Sequence, residues 1–90
     1  MNVYCVSYDL LTGQDYSGLA EEFKSSPGYW HCLHSTWLIA TSETAEQLFN
    51  RFRKHIGSRD AVLVIKVTND WSGWLPEEAA SWIGQHVINI

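Results

Sequence analysis

The segment Ala61–Thr68, AVLVIKVT, constrains the fold more than any other stretch of this chain. Val, Leu and Ile occupy both alternating sets of positions, so a strand here has no side suited to water. The opening segment Asn2–Asp9, NVYCVSYD, has the same character, with Val3 and Cys5 on one set and Tyr4, Val6 and Tyr8 on the other. Two such strands require a sheet with cover on both faces.

The remaining elements fall between and after these two. Tyr16, Leu19 and Phe23 share one face of a helix that Asp15 or Ser17 can cap, and Ser25-Ser26-Pro27-Gly28 stops it. Tyr29–Leu33 and Thr36–Thr41 read as two strands reversing near His34-Ser35. Ser42 or Thr44 caps a second helix, where Ala45, Leu48, Phe49, Phe52 and Ile56 repeat at helical spacing. Lys54 and His55 lie in its last turn and Gly57 ends it. Past the last strand, Trp71-Ser72-Gly73-Trp74 is a loop. Pro76-Glu77-Glu78 opens a third helix with Ala79, Trp82 and Ile83 on one side.

Strand–helix–strand–strand–helix–strand is the split βαβ arrangement. Right-handed crossovers then give an α+β, ferredoxin-like βαββαβ fold of sheet order 4-1-3-2, with the first two helices on one face. The chain reads as one domain over 1–90, with a core at 2–68 and a C-terminal loop and helix at 69–90. Another copy of the chain is the simplest cover for the second face, with the C-terminal helix as the competing candidate. A homodimer or larger homo-oligomer is the expectation.

Composition narrows the function classes. Ninety residues hold one core, and five Trp, four Tyr and three Phe are many large rings to place inside it. Some Trp should therefore sit in an interface or a ligand site. A formal charge of −4 does not suit a general polyanion binder. Yet Arg51, Arg53, Lys54, Arg59 and Lys66, five of the six basic residues, fall in one segment opposed only by Asp60. That patch suits one or a few phosphates. The start lacks a basic n-region, no apolar run approaches a membrane span, and two cysteines make no disulfide framework. A reduced, cytoplasmic protein without membrane partners is the reading.

A strand ending Tyr8-Asp9, an amphipathic helix, a hairpin through Ser35-Thr36-Trp37-Leu38 and a final Val-Ile-rich strand resemble the small CRISPR adaptation-subunit family. The closer likeness is to its non-CRISPR relatives, the SinR-like and VapD-like small proteins, over residues 2–68. The resemblance implies a ferredoxin-like homodimer. In catalytic members an Asp at the end of the first strand pairs across the dimer axis to hold a divalent metal, Mg or Mn, for phosphodiester cleavage. Asp9 is the position that matches. The chain departs from the family in two ways: Leu10–Gly18 contains no basic residue, and the Trp71–Trp74 loop and third helix extend past the matching part.

Individual residues have plainer roles to weigh. Asp9 alone is a poor site for a hard cation unless symmetry doubles it; otherwise it ends the strand and caps the loop. His31 and His34, an odd number of residues apart, point to opposite faces of an extended strand and make a poor metal pair. Cys5 and Cys32 read as core thiols two strands apart, about 9.5 Å, beyond disulfide reach. Gly13 and Gly18 are too far apart for a phosphate loop.

The leading expectation is a non-catalytic, homo-oligomeric module for a nucleotide-like ligand, a short nucleic acid or a protein partner. A phage-encoded or defence-associated setting fits its size and the resemblance. Tyr8, Trp30, His34, Trp37, Trp71 and Trp74 are the candidates for stacking and contact, and Arg51, Arg53, Lys54 and Arg59 for anion contact. The alternative is a metal-dependent endonuclease or ribonuclease with Asp9 of two subunits around one ion.

Overall fold

A computed structural model describes residues 1–11 and 16–87. The elements run β1 (Asn2–Asp9), α1 (Ser17–Lys24), β2 (Gly28–Leu33), β3 (Thr36–Thr41), α2 (Ala45–Phe52), β4 (Ala61–Lys66) and α3 (Glu77–His86), with a turn of 3-10 helix at Arg53–His55. Each falls where the hydrophobic spacing puts it, with ends moved by a few residues. The second helix tightens into its 3-10 turn before Ile56. The last strand ends at Lys66, although Val67 N–H still donates to the Val3 carbonyl at 2.8 Å. Asp15, expected as a helix cap, lies outside the described residues.

The strands form one antiparallel sheet in the order β2-β3-β1-β4, which counted from the β4 edge runs 4-1-3-2. The hairpin between β2 and β3 reverses at His34-Ser35, with Leu33 paired to Thr36, and carries a register shift between His31 and Leu33. Thr44 caps α2 in a reciprocal box. Gln47 N–H donates to Thr44 Oγ1 at 3.2 Å, and Thr44 N–H donates to Gln47 Oε1 at 2.9 Å.

Helices α1 and α2 cover one face. Tyr4, Val6, Trp37 and Ile39 from the sheet meet Leu19, Phe23, Leu48 and Phe52, all buried. Phe23 is the hub of this layer. Its ring centroid lies 5.2 Å from Trp37 and 5.1 Å, edge-on, from Phe52. The buried Tyr4 keeps its hydroxyl satisfied by donating to the Glu43 carbonyl at 2.7 Å.

Helix α3 covers part of the other face. Ala79, Ile83 and the following Val87 pack on Val3, Leu38 and Ala40, with Cys5, Trp30, Cys32, Val67, Leu75 and Trp82 around them. Of the two covers expected for this face, the C-terminal helix is the one seen within a single chain. The register places Leu63 and Ile65 on this same face, opposite Ser7 and Cys5, and there α3 does not reach. Leu63 is 58% exposed and Ile65 51%. The apolar second face is therefore half closed, not closed.

Gly28 sets how closely α3 approaches. A Cβ there would lie 3.0 Å from the Ala40 Cβ and 3.2 Å from Nε2 of His86, whose ring stacks on Trp82 at 4.0 Å. Gly28→Val would wedge the C-terminal end of α3 off the sheet. A loss of about 1–3 kcal/mol, the usual scale of overpacking, is the expected result in denaturant titration. An unchanged midpoint would mean that this end of α3 yields freely.

Candidate functional site

The open half of the second face ends in a shallow depression of about 350 Å³, bordered by Ser7, Tyr8, Asp9, Ser35, Thr36, Ala61, Val62 and Leu63. Its position follows from topology. Antiparallel pairing brings the end of β1, the start of β3 and the start of β4 to one edge of the sheet. Ser7 and Thr36 hydroxyls are 3.2 Å apart on its floor. Asp9 is exposed beside Ala61, its carboxylate without a hydrogen-bond or ion-pair partner among the described residues. It is the only carboxylate among the described residues that borders the depression. Among the described residues, one carboxylate and a few hydroxyls fall short of the oxygen set that a divalent ion takes. Among the described residues no three His, Cys, Asp or Glu side chains converge on a possible metal position.

The structure scatters the aromatic candidates. Trp37 is 3% exposed, with His31 stacked on it and Phe23 tilted against it, and its Nε1–H donates to the Tyr8 hydroxyl at 3.1 Å. So buried, it offers no open face. Trp30 is half-buried in the cluster under α3. Trp71 and Trp74, past the end of β4, are exposed, Trp74 completely so. His34 is exposed at the hairpin turn, and its carbonyl accepts a hydrogen bond from His31 Nε2–H at 3.0 Å. That bond, with the stacking of His31 on Trp37 at 4.3 Å, gives the pair a structural use.

The basic candidates divide as well. Arg51 is committed internally. It reaches Glu43 Oε1 at 3.0 Å, Glu22 Oε2 at 3.4 Å, the Glu22 carbonyl at 2.7 Å, and the Ser25 and Ser26 hydroxyls at 2.9 and 2.7 Å. Its guanidinium ties the α1–β2 turn to the β3–α2 turn and is not presented to a ligand. Lys54 leans toward Glu22 at 3.5 Å and stays mostly in water. Arg53 is exposed, its guanidinium carbon 5.7 Å from the Phe49 ring centroid, and Arg59 is exposed in the turn before β4. Arg53 and Arg59 thus sit before β4 while Trp71 and Trp74 come after it. Lys66 ends β4 itself, and Tyr8 pairs with Val62 at its start.

Three acids organise the surroundings without having stood out in the sequence. Asp60 accepts from Leu11 N–H at 2.6 Å, Gly57 N–H at 2.7 Å and the Tyr16 hydroxyl at 2.8 Å, pinning two loops beside β4. Glu43 and Glu22 hold Arg51. Burial pushes the Glu22 carboxyl up, but hydrogen bonds from His55 and Arg51 and the charges of Lys54 and Arg51 outweigh it and leave it below the usual value. The cationic partners of Glu43 and Glu22 lie 8 to 33 residues away on other elements, so no local spacing marks them. Cys5 and Cys32 are free, and burial, with Cys5 adding to it, pushes the Cys32 thiol up, away from the reactive thiolate.

No helix among the described residues is long and apolar enough to cross a membrane. Comparison of the chain with protein-family models, with curated proteins and with solved structures found no match in any of the three.

Proposed function

We propose that this chain is a small, non-catalytic, homo-oligomeric binding module of ferredoxin-like fold, whose working surface is the β4 side of the sheet. The element order, the wholly antiparallel pairing and β1 at the centre support the fold assignment. The observation that carries the function is the pair Leu63 and Ile65, exposed on a face that α3 leaves half open. Exposed β-branched and aliphatic residues on an edge strand favour association over solvation. Of the occupants expected from the sequence, a protein surface is favoured over a nucleotide-like ligand or short nucleic acid. Arg51 is occupied, Trp37 is buried, and among the described residues the depression beside Asp9 is bordered by Tyr8 but by no basic side chain.

Sedimentation equilibrium tests this. The expected mass is a multiple of 10.3 kDa for the native chain, and the monomer mass for Leu63→Glu with its fold retained by circular dichroism. A native chain that stays monomeric at micromolar concentration overturns the proposal.

A second reading is a Mg- or Mn-dependent nuclease with Asp9 of two subunits around one ion. It is favoured by one observation, an exposed and unpartnered Asp9 in a hydroxyl-lined depression. Labelled RNA or DNA incubated with either metal should then be cut, and Asp9→Ala should abolish the cutting. Intact substrate under both metals ends that reading.

A further inference from the structure

Strand β4 is an edge of the sheet, and the direction of its backbone groups can be assigned. Val67 N–H donates to the Val3 carbonyl, and backbone groups alternate in direction along an antiparallel ladder. Ala61, Leu63 and Ile65 therefore turn theirs toward β1, while Val62, Val64 and Lys66 turn theirs outward. Natural edges are commonly blunted by charge, proline or a bulge, and Ala61–Ile65 has none of these.

Helix α2 runs beside this edge. Glu46, Phe49 and Arg53 are spaced i, i+3, i+7 and so form one stripe. Glu46, Phe49, Val62 and Val64 border a groove of about 310 Å³, and Phe49, Arg53, Ile56 and Val62 border the next, of about 350 Å³. The result is a continuous trough floored by Phe49, Val62 and Val64, with Glu46 at one end and Arg53 at the other; Asp60 also borders the Arg53 end, its carboxylate accepting from Leu11 N–H, Gly57 N–H and the Tyr16 hydroxyl. Among the described residues neither Glu46 nor Arg53 has an ion-pair partner.

We infer that the trough and edge take the same trough and edge of a second copy, the two β4 strands pairing antiparallel about a two-fold axis at Leu63. This rests on the self-association proposed above and gives it a geometry. Val62 of each copy pairs with Val64 of the other, and the two Leu63 side chains meet on the outer face. The two α2 helices then run antiparallel, which sets Glu46 of each copy against Arg53 of the other. The charge pattern is what selects a second copy as occupant. The stripe is complementary to itself when reversed, whereas parallel docking would oppose Glu46 to Glu46. The two sheets become one of eight strands.

Charge reversal tests the geometry. Glu46→Arg alone opposes two guanidinium groups on each side of the axis, and Arg53→Glu alone opposes two carboxylates there. Each variant by itself should dimerise at least about tenfold more weakly than the native chain. Mixed in equal amounts, the two should form a heterodimer, and the double variant Glu46→Arg/Arg53→Glu should regain the native dimer. Leu63→Cys, in a Cys5→Ser/Cys32→Ser background, should crosslink between subunits on oxidation, because opposed residues at such positions have Cα atoms about 4.5 Å apart. Single variants that dimerise as tightly as the native chain, or that fail to rescue each other, overturn the edge pairing and leave self-association standing. A monomeric native chain overturns both.

Discussion

Phe23→Ala should cost about 3–5 kcal/mol, the range for emptying a large aromatic site in a packed core. The reason is position. Phe23 is fully buried and its ring bridges Trp37 on the sheet and Phe52 on α2, with Tyr8 stacked at 6.4 Å. Alanine would remove the side chain that joins the sheet to both helices of the inner layer. Three large rings around the hole cannot close it without leaving their rotamers, so the cavity persists. For a domain this size, the loss should lower the thermal midpoint by at least about 12 °C. Thermal unfolding followed by circular dichroism measures it. A drop under about 5 °C, or about 1 kcal/mol, would mean that α1 contributes little to the core.

Arg51→Met should cost about 2–3 kcal/mol at pH 7, and the cost should depend on pH. Methionine keeps the apolar stem and removes the guanidinium, leaving the carboxylates of Glu22 and Glu43, 17% and 26% exposed, short of their partner. In the native chain Glu22 is held below its usual value of 4.5. A carboxylate lowered on folding contributes stability that is present above the unfolded value and is lost as pH falls through the folded one. Without Arg51, burial has less to oppose it and the Glu22 carboxyl rises. The difference between native and variant chains should therefore be full at neutral pH and shrink below about pH 4.5. Urea titrations at neutral and acid pH give both numbers. A difference independent of pH would show that Arg51 acts through its hydrogen bonds to Ser25, Ser26 and the Glu22 carbonyl and not through charge.

Much of the architecture was legible because it depends on short-range periodicity. The α2 stripe of Leu48, Phe49 and Phe52, the Thr44 cap and the doubly apolar β1 and β4 segments each declare themselves within a few residues. The covered second face was legible too, as a need. What covered it was not, because the apolar side of α3 and a second copy satisfy the same pattern. The candidate site was less legible. A basic residue in a cluster looks available in sequence, and only tertiary structure shows that Glu22 and Glu43 have taken Arg51. Trp37 looks like a stacking platform until Phe23 and His31 are seen packed against it. The useful signal was relational: Glu46 and Arg53 flank Phe49 on one stripe, but their meaning needs the neighbouring strand to be an edge.

Helix α3 sets how the molecule comes apart. It is held through Ala79, Ile83 and Val87, with Trp82 alongside, and no side chain caps its first turn. It is also joined to β4 by residues 67–76, which form no helix or strand. Opening of this helix is therefore expected at a free energy well below that of the sheet, as a separate cooperative unit. Its amides should exchange with solvent sooner than those of β1 and β3. Each such excursion bares Val3, Leu38 and Ala40 beside Leu63 and Ile65, turning two apolar patches into one continuous stripe. The aggregation propensity of this protein then follows the opening equilibrium of its last helix, and a disulfide or a better cap on α3 would suppress it without altering the inner core.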